Sequence, residues 1–242
     1  MGLIFLALPG AVLAPAPGGA AELAAATELA RHLSWLLMAG REVIAEKQTT
    51  INDPALGAKG ITGESIAADT MLRYRALAGE KIRPMDRGEI GVHMSTLIRS
   101  IQRAVDEKSD IINRIGAGFK GFVPTAFSRA AIRDFNLHTT SVQLRLTAPK
   151  HLLRSRLSPP DAWESDVIEG RLSKDAWPKG ELFATRGVYG KRPAIRVLAP
   201  EYFKASCLSC HGEPMGQIDI TGNPREGVKV GQLAGVISVI VY

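Results

Sequence analysis

Both cysteines of this chain fall in one short run, Cys207-Leu208-Ser209-Cys210-His211. Two cysteines cannot build a disulfide framework or a four-cysteine zinc site, so both are excluded. Thiols three positions apart, followed at once by a histidine, form the attachment signature of c-type haem. The spacing has a physical basis. One turn of chain sets both sulfurs beneath the two vinyl groups of a single porphyrin and directs the next side chain at the iron. Cys207 and Cys210 are therefore expected to carry one covalent haem c, with His211 as proximal iron ligand. Two other uses of the pattern fit less well. A redox dithiol sits at a helix N-terminus, whereas Gly212 and Pro214 follow here and disfavour a helix. Half a zinc site would need two more ligands from scattered histidines.

Covalent haem is attached outside the cytoplasm, which directs attention to the N-terminus. Residues 1–21 carry no charged side chain, and the apolar run Leu3–Leu8 is followed by Pro9, Gly10, Pro15 and Pro17. A run so broken is a poor membrane span and resembles a signal peptide, with cleavage near Ala20 or Ala21. No Lys or Arg precedes the run, so the true start lies upstream or the α-amino charge serves instead. Leu23–Val43 contains Glu28, Arg31 and His32, so no span is expected in the mature chain. The expected location is periplasmic or otherwise exported. Hydrophobic residues at 45% and charged residues at 22% of 242 describe a folded chain. A net charge of +6, with basic residues scattered rather than blocked, shows no nucleic-acid stripe.

Apolar periodicity divides the chain in two. Leu29, Leu33, Leu36, Leu37, Val43 and Ile44 predict a helix over about 22–50. Met94, Leu97, Ile98, Ile101, Val105 and Ile112 predict a second, and shorter helices are expected at Glu64–Ala78, stopped by Gly79, and at Pro124–Phe135. After residue 140 apolar residues alternate, as at Val142, Leu144 and Leu146, in parts of 181–188, and in 194–198. Gly235–Tyr242 reads as a buried terminal strand. Helices first and strands later imply an α+β fold with an antiparallel sheet. The expected division is one domain over 22–242, helical over 22–136, with sheet and attachment motif over 140–242.

The helical half contains a repeat at an offset of 61 residues, with ten identities across the 29 positions 32–60. His32 meets His93, Ser34 meets Ser95, Ile51-Asn52 meets Ile112-Asn113, and Lys59-Gly60 meets Lys120-Gly121. Each copy reads as a long helix ended by Ile-Asn and a glycine-containing loop, with Asn suited to a left-handed helix end. The two loops are expected to reuse one helix-stop device rather than to share a ligand. The sixth iron ligand has several candidates: His32, His93, His138, His151, Met38, Met94 and Met215, or an open position suited to a gas. His93, on the inner stripe of the second long helix, is the metal-ligand expectation alongside His211.

Several further stretches carry a resemblance. Ile51-Asn52-Asp53-Pro54-Ala55-Leu56-Gly57, Gly118-Phe119-Lys120-Gly121-Phe122-Val123-Pro124, Pro159-Pro160-Asp161-Ala162-Trp163-Glu164 and Pro200-Glu201-Tyr202-Phe203 precede the Cys motif in order. From about Glu42 to the C-terminus the sequence resembles the PAS-like monohaem c-type family, found as exported haem proteins and as sensor regions of bacterial chemoreceptors and histidine kinases. The resemblance implies a PAS-like antiparallel sheet flanked by long N-terminal helices, with haem between them. It also implies that Arg154 and Arg156 pair with haem propionates, that Tyr202 and Phe203 pack on the porphyrin, and that Trp163 anchors the sheet. Some relatives supply a distal cysteine from the N-terminal helix; this chain has no third cysteine, so that ligation does not carry over.

Three functions are compatible with these residues. The first is a redox or gas sensor whose signal passes to a separate partner or through a homodimer. The second is a periplasmic electron carrier serving a redox partner protein. A haem enzyme comes last, because no distal acid–base pair is visible.

Overall fold

The computed structural model describes residues 17–79, 88–155 and 157–242. The expected signal peptide falls mainly on residues 1–16, and Arg156 is a single gap; both lie outside the described residues, whereas Ala20 and Ala21 lie at the start of the first helix. Helices α1 (Pro17–Glu46), α2 (Gln48–Asn52), α3 (Gly63–Ala78), α4 (Gly88–Asp106), α5 (Ser109–Ile112) and α6 (Pro124–Leu137) come first. Strand β1 (Val142–Thr147), helix α7 (Ala162–Val167), strands β2 (Phe183–Tyr189) and β3 (Arg192–Tyr202), helix α8 (Leu208–His211) and strand β4 (Leu233–Val241) follow. The fold is α+β, as the periodicity implies.

Each predicted long helix breaks once, at the same place in the repeat. Lys47 (φ −88°, ψ 1°) separates α1 from α2, and Lys108 (φ −108°, ψ 5°) separates α4 from α5. Both lie in the bridge region, which interrupts the ladder without reversing the chain. Gly79, at φ 53°, ends α3 in a conformation that favours glycine. The asparagines work differently from the expectation. Asn113 has φ −87°, and no non-glycine residue among those described has a positive φ. Instead the Asn52 Oδ1 accepts the Lys120 amide and the Asn113 Oδ1 accepts the Lys59 amide, each at 3.0 Å. The two loops thus clasp each other by equivalent bonds. The offset of 61 also carries α2 onto α5 and places Gly63, which starts α3, on Pro124, which starts α6. The duplicated unit is therefore three helices long.

The four strands pair antiparallel in the order β1-β4-β3-β2. β4 is central, with Val197 opposite Val239 on one side and Leu144 opposite Val239 on the other. One sheet face meets the helices in a core containing Leu33, Leu36, Leu37, Met94, Leu97, Ile101, Phe127, Phe135, Leu144, Val197 and Val239. Burying a side chain of that size contributes about 1.5–3 kcal/mol. On the opposite face Leu198 and Val236 join Val167, Ile168 and Leu172, with Trp163 packed against them. The Arg196 guanidinium lies 4.1 Å from the Trp163 ring, so this tryptophan does stand against the sheet. At Glu201/Tyr202 the β3–β4 register shifts, which re-aims the end of β3 beside the Cys motif. Among the described residues no helix is long and apolar enough to cross a membrane.

Candidate haem site

A cavity of about 1440 Å³ opens between α1, the start of α6, the ends of β1 and β3, and the segment that carries the cysteines. Cys207 closes a short 3-10 turn that begins at Ala205, and Cys210 and His211 sit on the single helical turn of α8. All three side chains line the cavity, and both thiols are free. Gly212 permits the chain to leave α8 directly after His211, since a Cβ there would lie 2.7 Å from the Leu208 carbonyl oxygen. Tyr202 and Phe203 also line the cavity, and the Phe203 ring centroid lies 5.2 Å from that of His211. The cavity wall includes Ile218, Ile220 and Val230, each more than half exposed. Large apolar side chains left facing an open cavity suit a flat apolar ligand better than water.

His211 is held from behind. Its Nδ1–H donates to the Glu226 carboxylate at 2.8 Å, which leaves Nε2 for the cavity side. Burial lowers the imidazole pKa, against the opposing pull of Glu226, so the ring is held in its neutral, ligating form. Arg154 binds the same carboxylate through Nε at 2.6 Å and Nη2 at 2.8 Å. Its Nη1 donates to Asp219 at 2.6 Å, and Nη2 also reaches the Cys210 carbonyl at 2.7 Å. Burial opposes ionisation of Glu226 and Asp219, but these bonds outweigh it, with Thr221 and Asn223 adding to Asp219. Both carboxyls are therefore held below their usual range, Asp219 the more strongly. A carboxylate on the outer nitrogen fixes the tautomer and orientation of a metal-ligating histidine and raises its basicity. Cys207, Cys210 and His211 thus share one cavity, with the outer nitrogen of the histidine already held by Glu226.

The distal candidates separate clearly. His32 is fully buried in the helices and bonds Tyr74 through Nδ1 at 2.7 Å. His93 lines a different, smaller pocket with Glu89, His138 and Ser141, so it is not brought together with His211. His138 shares that pocket, and His151 does not line the haem-sized cavity. Met94 is fully buried beside the Tyr74 hydroxyl, and Met215 is 72% exposed. Met38, on the cavity face of α1 with Trp35 and Arg41, lines the same cavity as His211. Arg154 also reaches the site, but its donors are taken by Glu226, Asp219 and backbone carbonyls rather than turned toward an incoming carboxylate.

Glu226, Asp219 and Arg129 escape sequence reasoning. The two acids sit in the loop 212–232, which has no periodicity, and no spacing rule ties an acid 15 positions away to the motif histidine. Two ion pairs, Arg41–Glu201 and Lys204–Glu42, strap α1 to the end of β3 and to the Cys segment across the cavity.

An α+β domain with two thiols and a carboxylate-supported histidine around one cavity defines a haem-binding class. Within that class the chain belongs to the Tll0287-like family, whose pattern it matches over residues 22–241. This is the PAS-like monohaem c-type family. No curated protein and no solved structure matches the chain.

Proposed function

We propose that this chain is an exported redox-responsive haem c domain, with one haem bound covalently through Cys207 and Cys210 and ligated by His211. Each thiol S–H adds across one vinyl C=C, forming an S–C and a C–H bond, so no atoms are lost and no oxidant is needed. The observation that carries this reading is the meeting of both thiols and the His211 ring in one cavity, with Glu226 occupying the outer ring nitrogen. Bound iron would supply a reversible one-electron couple. The chain's residues hold the porphyrin, orient its ligand and exclude water. Met38 is the sixth-ligand choice, because among the described residues it is the thioether that lines the cavity. Met38 and His211 together would hold the iron, and a thioether ligand would raise its potential and leave no room for a gas. That favours redox sensing over gas sensing. Electron transfer to a partner protein is the alternative the same site allows. The uncharged residues 1–21 and the extracytoplasmic chemistry of haem attachment support export.

The test is expression with a c-type maturation system, followed by intact mass and visible spectra with and without carbon monoxide. The expected result is a gain of one whole haem and a six-coordinate low-spin spectrum that carbon monoxide leaves unchanged. A mass equal to the unmodified mature chain would falsify attachment. Ready carbon monoxide binding would replace redox sensing by gas sensing.

A further inference from the structure

The two copies of the helical repeat diverge where α3 and α6 begin. α3 is capped from within: Thr62 and Ser65 form a reciprocal capping box, and Glu64 stands in the first turn. The Gly63 amide also donates to the Asp106 carboxylate of α4 at 2.7 Å. Sixty-one residues on, every one of these devices is gone. Val123 replaces Thr62, Thr125 replaces Glu64, Ala126 replaces Ser65, and Ala45 stands where Asp106 stands in the other copy. α6 consequently starts with no side-chain cap and no acid in its first turn.

This bare N-terminus faces the cavity, where Val123, Pro124, Thr125, Ala126 and Ala45 are all lining residues. One turn further along, Arg129 takes the place of Ala68 and lines the cavity too. Its Nε is buried without a hydrogen-bond partner, and among the described residues it joins no ion pair. Burial and the nearby Arg41 both lower its pKa, so the protein leaves this cation uncompensated. A helix N-terminus favours an anion, and a guanidinium fork accepts a carboxylate in two parallel bonds. Copy one supplies that anion from its own chain. Copy two has no such anion, and Pro124 has no N–H to hold one, but Thr125 and Ala126 of the same turn line the cavity.

We propose that Arg129 and the uncapped start of α6 form a carboxylate-binding site, filled by a propionate of the haem. The proposal rests on the haem reading, and it gives the propionate role to Arg129 in place of Arg154, whose donors are taken. A free small carboxylate shares this chemistry, and the experiment separates the two sources.

The experiment uses the holoprotein carrying ¹³C-labelled haem propionates, whose carboxyl resonances are followed against pH. Intact mass first shows whether haem is attached; without an adduct the haem reading itself fails. With the adduct present, Arg129→Gln should raise the affinity of one propionate for protons tenfold or more, since an adjacent opposite charge lowers a carboxyl pKa by about 1–3 units. Arg129→Lys should recover part of the shift, because it restores the charge without the fork. Ala45→Asp should reproduce the Gln effect by setting a competing carboxylate in the same cavity wall, although Pro124, unlike Gly63, has no N–H to bind it. It also leaves Arg129 in place should Arg129→Gln fail to fold. Propionate titrations identical to the parent in Arg129→Gln and in Ala45→Asp would overturn the proposal. So would acetate that binds the parent holoprotein and is lost in Arg129→Gln, which would assign the site to a free carboxylate.

Discussion

The helical units α1–α3 and α4–α6 share a plan and differ in employment. Each runs a long helix to a Glu-Lys break, a short helix to Ile-Asn, and a Gly-Lys loop before a third helix. In the two clasped loops, bonds repeat faithfully. The Lys59 Nζ reaches the Leu56 carbonyl as the Lys120 Nζ reaches that of Ala117, and the Asn–amide clasp is reciprocal. Where the first unit meets the sheet, the equivalence ends. Trp35, Met38 and Arg41 of α1 line the cavity, while their counterparts Thr96, Arg99 and Gln102 on α4 do not. Mutual contacts preserve the symmetry of the duplication, and the ligand cavity breaks it.

The largest expected effect attacks that asymmetry directly. Met38→Ala should abolish the low-spin spectrum of the holoprotein, lower its midpoint potential and admit carbon monoxide, because loss of a thioether ligand exposes the iron. Arg99→Ala, its counterpart in the second unit, should leave all three unchanged. Equal spectra for the parent and Met38→Ala would remove α1 as the ligand-bearing helix.

Much of this organisation can be read from the sequence, for identifiable reasons. Helices α3 and α6 and strand β1 emerge from apolar spacing, because each buries one continuous face. Strand β4 emerges from its near-continuous apolar run, because both of its faces are covered. The attachment motif is local, so three site residues need no tertiary information. Arg154 can be placed near the site but not assigned its partners, since Glu226 and Asp219 arrive from a loop more than 60 residues later. His93 has the burial and spacing of an inward-facing ligand, yet periodicity cannot say which cavity an inner stripe faces. The repeat is visible only over 32–60, because the third helices start with residues as unlike as Gly63 and Pro124. That dissimilarity follows the surroundings of the two residues. Gly63 packs tightly, since a Cβ there would lie 2.4 Å from the Gln102 carbonyl oxygen, whereas Pro124 borders open space.

The clasp predicts the opposite of the Met38 test, namely equality. Asn52→Ala and Asn113→Ala each leave one amide without its acceptor, at Lys120 and Lys59 respectively. Each should cost about 1–2 kcal/mol in denaturant unfolding. Closely matched losses would show that the loops remain structurally equivalent. A loss confined to one variant would show that the symmetry of this contact is only geometric.

The smallest effect concerns the paired histidines, which occupy equivalent helix positions but different company. His93 meets Glu89 at 3.9 Å, Ser141 at 3.3 Å and the Phe135 ring, and His138 lines the same pocket. Burial lowers the His93 pKa, and Glu89 offsets this only in part. A histidine with a depressed native pKa gives stability that is complete above its unfolded value, about 6.5, and is lost as pH falls through the native value. Between those two values the unfolded chain binds a proton that the native protein refuses. Denaturant unfolding of the holoprotein should therefore weaken on going from about pH 7.5 to about pH 5.5, by at most about 1.4 kcal/mol per pH unit from this group. His93→Gln should flatten that slope and leave the visible spectrum as it is. A changed spectrum would put His93 at the iron and make α4, rather than α1, the ligand-bearing helix.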